Sequence, residues 1–231
     1  MPIVRVRDID IYYEVHGAGP PLVVIGGLAL DVSEYGAFLP PLAAHATVIV
    51  FDNRGAGRTS KPPGPYYIEQ MADDAAALME YLHLDQADVL GISMGGRIAL
   101  ALTLRYPDKV SRLVLVSTSA RVRPRRRRTR LVLGFSRLPG LRSAYPQPRY
   151  ALDAQFAASS RFDATTRLAE IRVPTLILHG MRDRTTPYPL AQEMHARISG
   201  STLETFNGGH LFMFLRERDR FAAAVVAFLK R

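Results

Sequence analysis

Short apolar runs alternate with helical patterns along this chain. Strand-like stretches are read at residues 3–7, 9–16, 22–26, 47–51, 87–92, 113–117, 175–179 and 202–206. From Leu22 onward they are mostly continuous apolar runs, as parallel strands buried on both faces require. Between them, Ile68, Met71, Ala72, Ala75, Leu78, Met79 and Leu82 step by three or four and mark an amphipathic helix. Residues 96–105 are apolar nearly all round, which predicts a deeply buried helix, and Phe221, Val225, Phe228 and Leu229 mark a last one. Two N-terminal strands followed by β-α alternation predict an α/β fold: eight strands, mostly parallel with an antiparallel start, flanked by helices.

The rhythm breaks once. After Ser117 roughly 55 residues pass before Pro174-Thr175-Leu176 restarts a strand, whereas a crossover needs about a dozen. Residues 1–119 and 170–231 are therefore read as the α/β core, and 120–169 as a short helical cap inserted after the sixth strand.

Charge and composition sharpen this picture in two places. The net charge of +9 suggests a polyanion partner until it is located. Arginines 121, 123, 125–128, 130, 137, 142 and 149 crowd into residues 120–149, which hold no acid, and the rest of the chain is close to balanced. The absence of cysteine excludes disulfides and thiolate chemistry. No apolar run approaches the ~20 residues of a membrane helix, and the N-terminus reads as a strand, not a leader, so a cytoplasmic location without membrane insertion is expected.

The stretch "VLGISMGGRIAL" at 89–100 is where chemistry concentrates. A strand that turns sharply into a helix needs small flanking residues, which Gly91 and Gly95 supply, and the turn projects the hydroxyl of Ser93 above the sheet edge. The amides opening the following helix, Met94 first among them, point at the same spot and favour an oxyanion. A serine hydroxyl needs a base, and the base an orienting acid. His210, in "NGGHLF" between the last strand and the last helix, is the candidate base; His16, His45, His83, His179 and His195 are read as packed or solvated. Asp183, in "TLILHGMRDRTTP" just past a strand, is the candidate acid, with Pro187 expected to open the next helix. The strand before the insertion ends "VLVSTSAR" and offers no carboxylate. The glycine pair in "VVIGGLALD" makes the amide of Leu28 the candidate second oxyanion donor.

With these residues in place the whole chain resembles the α/β-hydrolase family, whose chain order Ser93, Asp183, His210 it shares. "FDNRGAGRTSKP" at 51–62 is similar to the family's strand-turn segment, in which Asp52 and Arg54 are structural. The stretch from Asp52 through "VLGISMGGRIAL" most resembles the serine esterase and 3-oxoadipate enol-lactonase-like branch. Serine at position 93 sets it apart from the dehalogenase and epoxide-hydrolase branches, where an aspartate serves. Two features depart from the pattern: Gly26 stands where many members have histidine, and the cap is short and rich in arginine.

The resemblance implies an acyl-enzyme on Ser93, with no metal and no organic cofactor, acting on a small-molecule ester or lactone. Gly27, Leu211, Phe212 and Phe135, with Leu138 and Tyr145, are candidates for the substrate pocket. The same triad also serves carbon–carbon bond hydrolysis and perhydrolysis, and the scaffold also serves as a non-catalytic binding protein. "RVRPRRRRTR" reads as a solvated cap face, a guide for a carboxylate-bearing substrate, or a polyanion contact. It has no interleaved aromatics, so no nucleic-acid partner is expected.

Overall fold

Eight strands form one sheet in the order β1-β2-β4-β3-β5-β6-β7-β8. They are β1 Ile3–Val6, β2 Ile9–His16, β3 Pro21–Ile25, β4 Thr47–Phe51, β5 Ala87–Ile92, β6 Val110–Val116, β7 Thr175–Gly180 and β8 Thr202–Phe206. The computed structural model describes residues 2–36, 38–122, 144–212 and 217–231. β2 pairs antiparallel with both β1 and β4, and every later pairing is parallel. All side chains of β5 and β7 are buried, which accounts for their unbroken apolar pattern. β6 begins three residues earlier than its apolar run, at Val110, because Ser111 and Arg112 sit half-buried at its start.

The helices among the described residues cover both faces. On one side α2 (Ile68–Tyr81), α3 (Met94–Arg105), α4 (Arg149–Arg161) and α5 (Pro189–Arg197) enclose a core that includes Val23, Ile25, Val89, Leu113 and Ile177. On the other, α1 (Leu39–Ala43) and α6 (Arg218–Leu229) cover Val24, Val50, Leu90, Val114 and Leu178. Alternate residues of each central strand thus serve opposite cores. α5 opens at Pro189, not at Pro187: the backbone of residues 183–186 is occupied in a turn around Asp183. No helix among the described residues is long and apolar enough to cross a membrane.

The helical insertion follows β6. Its ends are tied together by an antiparallel bridge between Arg121 and Asp163 and by the Ala164 amide donating to the Ala120 carbonyl at 2.9 Å. Of the ten arginines at 120–149, Arg121 pairs with Glu193 at 2.9 Å and Arg149 with Asp153 at 3.0 Å. The other eight, and the pocket candidates Phe135 and Leu138, lie outside the described residues.

α3 enters the sheet layer through glycine. A Cβ on Gly95 would lie 2.1 Å from the Ile25 carbonyl oxygen, and one on Gly91 2.4 Å from that of Gly95. Gly95→Ala must therefore push α3 off the end of β3, at a cost of about 1–3 kcal/mol. A lowered urea midpoint with an unchanged m-value is the expected result.

Candidate active site

Ser93 sits between β5 and α3 with φ 55° and ψ −114°, a conformation L residues rarely adopt. Its amide donates to the Val116 carbonyl at 2.9 Å, and its carbonyl accepts from Thr118 Oγ1 at 2.6 Å and from the Gly96 amide at 3.1 Å. A Cβ on Gly96 would meet the Thr118 side chain at 2.4 Å, so the threonine presses directly on the turn. Thr118 has no motif of its own; its signal was its position just past a strand end.

The three predicted residues come together. Ser93 Oγ lies 2.9 Å from His210 Nε2, and His210 Nδ1 lies 2.7 Å from Asp183 Oδ2. A carboxylate only accepts, so Nδ1 carries the proton and Nε2 presents its lone pair to the serine hydroxyl. Asp183 is buried, and its Oδ1 accepts the amides of Thr185 at 2.7 Å and Thr186 at 2.8 Å. These bonds fix the carboxylate plane before the histidine binds it.

His179, on β7, also belongs to this cluster. Its Nε2 stands 2.8 Å from the Thr186 carbonyl and 3.5 Å from Asp183 Oδ2. The carbonyl requires a proton on Nε2, and burial holds the imidazole's pKa below its ordinary value, so the ring is neutral. The i, i+4 spacing to Asp183 was the sequence signal for this neighbour.

The loop bearing His210 is clamped by Glu217, whose Oε2 accepts the Gly208 amide at 2.7 Å and Oε1 that of Asn207 at 3.2 Å. Gly208 is required for closeness, not for a left-handed backbone: a Cβ there would lie 2.6 Å from that of Phe212. Phe212 is not a pocket residue. It is fully buried and stacked on Phe206 at 4.2 Å, within the core under α6. Leu211 is half-buried beside His210, and Tyr145 lies 4.3 Å over the guanidinium of Arg58.

The loop after β3 packs on the serine turn. A Cβ on Gly27 would come within 3.5 Å of Ser93 Cβ. Asn53 Nδ2 holds the Gly26 carbonyl at 2.9 Å, and Ala29, at φ 62°, donates its amide to Gln155 Oε1 of α4 at 3.3 Å. Gln155 Nε2 donates in turn to the Arg54 carbonyl at 2.8 Å. Position 26 must be glycine here, because a Cβ would lie 2.2 Å from the Tyr35 hydroxyl. The phenol therefore fills the space a side chain at 26 would take. Asp52 anchors the same region, accepting the Val32 and Arg58 amides at 2.7 Å each. Arg54 is met by Asp8 at 2.6 Å and Asp74 at 2.8 Å.

A model of the alpha/beta hydrolase fold matches residues 20–143, more than half of the chain. The chain belongs to the alpha/beta hydrolase family. Among curated relatives of this hydrolase, "Putative carbamate hydrolase RutD" of Azorhizobium caulinodans is 29% identical, over 92% of each chain. The 3-oxoadipate enol-lactonase 2 of Acinetobacter baylyi is 26% identical, over 97% of this chain and 95% of its own. Among solved structures, a hydrolase from Pseudomonas aeruginosa superimposes with a TM-score of 0.90 at 28% identity, covering 100% of this chain and 98% of its own.

One carboxylate near the loop titrates unusually. Burial pushes Glu34 up to about 7, with Asp31 and Asp52 adding to the rise and the Asp31 amide opposing it. A carboxyl whose folded pKa exceeds its unfolded value stabilises fully below the unfolded value, and that contribution is lost as pH rises through the folded one. Between about pH 5 and about pH 8 the melting temperature of Glu34→Gln should rise relative to wild type. A parallel pH dependence of the two proteins would refute this.

Proposed function

We propose that this hydrolase cleaves small carboxylic esters or lactones through an acyl-enzyme on Ser93. The observation behind this is the continuous hydrogen-bond relay from Ser93 Oγ through His210 to Asp183. His210 Nε2 takes the hydroxyl proton as Ser93 attacks the carbonyl, and Asp183 stabilises the imidazolium that forms. The amides of Met94, at the N-terminus of α3, and of Leu28, in the loop packed on Ser93, are the proposed oxyanion donors. The imidazolium returns its proton to the leaving alkoxide, and water activated by the same ring releases the acid. In the proposed cap, Gln155 joins α4 to the oxyanion loop. An ester or lactone agrees with the activity named in the enol-lactonase relative.

Turnover of p-nitrophenyl esters from acetate to octanoate tests the reading. Ser93→Ala should lower kcat by at least about a thousandfold, and activity surviving the substitution would remove Ser93 from the mechanism. Gln155→Ala should lower kcat by roughly fivefold with KM nearly constant, since it loosens a donor used mainly in the transition state. An equal change in KM alone would make Gln155 a binding residue instead.

A further inference from the structure

His179 is a fully buried titratable side chain that the proposed reaction does not use. It stands on β7, four residues before Asp183. Its two ring nitrogens are treated unequally. Nε2 bonds the Thr186 carbonyl at 2.8 Å, whereas Nδ1 has no hydrogen-bond partner among the described residues. An unpaired buried acceptor is costly, and a leucine at 179 would avoid that cost. It would also strand the Thr186 carbonyl. The single bond through Nε2 is therefore what the imidazole contributes.

That bond secures the turn that carries the catalytic acid. The near leg of the turn is tied to neighbouring segments: the Met181 amide donates to the Phe206 carbonyl at 2.8 Å and that of Arg182 to the Gly208 carbonyl at 3.1 Å. The far leg is tied differently. The amides of Thr185 and Thr186 go to Asp183 Oδ1 itself, so they move with the carboxylate they hold. Among the described residues, the hydrogen bond that joins residues 184–186 to the sheet is the one from His179.

The ring also lies beside the oxygen that orients the base. His179 Nε2 is 3.5 Å from Asp183 Oδ2, and the same oxygen accepts His210 Nδ1 at 2.7 Å. A cation at 179 would cancel the carboxylate charge that the His210 imidazolium needs. Burial keeps the ring neutral, so it steadies the carboxylate without competing for it.

We propose that His179 is a positioning residue for the acid: it pins the far leg of the Asp183 turn to β7 and so fixes the carboxylate that orients His210. For its effect on turnover this rests on the esterase reading above, whereas the Asp183–His210 bond can be read without substrate.

Two variants separate the bond from the packing. His179→Gln keeps an N–H in place of Nε2–H, because its amide nitrogen stands as many bonds from Cβ; His179→Leu removes it. The proton NMR signal of His210 Nδ1–H reports the bond to Asp183. In His179→Leu that signal should move upfield and exchange faster with water, and kcat for p-nitrophenyl acetate should fall roughly tenfold at nearly constant KM. His179→Gln should restore the signal and bring kcat back to within about threefold of wild type. A folded His179→Leu with the wild-type signal and kcat, or a folded His179→Gln no better than the leucine variant, would overturn the assignment. If both variants fail to fold, heteronuclear NMR of the wild-type ring decides. His179 should be the neutral Nε2–H tautomer; an Nδ1–H tautomer would overturn the assignment, because the Thr186 carbonyl would then lack its donor. A His210 signal that depends on residue 179, in a wild type that turns over no ester, would keep His179 and overturn the esterase reading. Ser93-dependent turnover with signal and kcat indifferent to residue 179 would do the reverse.

Discussion

The backbone at Ser93 is the constraint on which the rest of the site depends. A non-glycine residue at φ 55° is held only where its surroundings leave no easier alternative. Here the surroundings are backbone. Gly91 and Gly95 let β5, α3 and the end of β3 approach within distances a single methyl group would forbid. Thr118 closes the turn from the next strand by holding the Ser93 carbonyl. Strain at one residue is thus sustained by the packing of three parallel strands and a helix, all deep in the molecule.

The loop after β3 solves a different problem, that of holding exposed-looking backbone in a buried place. Three of its polar groups are given partners from elsewhere: Asn53 for the Gly26 carbonyl, Asp52 for the Val32 amide, Gln155 for the Ala29 amide. Tyr35 occupies the volume beside Gly26 that a side chain at position 26 would otherwise take. The partners come from β4, from the turn after it and from the insertion, so the loop's position reports on the whole upper rim of the sheet. A buried network of this kind is stable only when it is nearly complete.

The described part of the insertion meets the core through apolar residues such as Ala151, Ala158, Phe162 and Leu168 and through polar contacts. Gln155 and Ser159 face the core from α4, and Arg121 reaches Glu193 on α5. Among the described residues this makes α4 part of the site's architecture.

Periodicity and punctuation made much of this protein legible. Buried parallel strands must be apolar on both faces, so their order along the chain was plain, and the glycines around Ser93 announced a sharp turn because few other residues fit one. Ser93, Asp183 and His210 were readable for the same reason: each sits just past a strand, where a parallel sheet gathers its ligands. What the sequence could not express is which distant atoms meet. Phe212 looked like a neighbour of the site and is core, because its ring, two residues past His210, stacks on Phe206 among the buried residues under α6. His179 looked like packing and lies against Asp183, and Gln155 and Glu217 show no local pattern at all. Local patterns record how each segment satisfies itself; the partners of a buried polar group are chosen only when segments far apart in the chain are packed together.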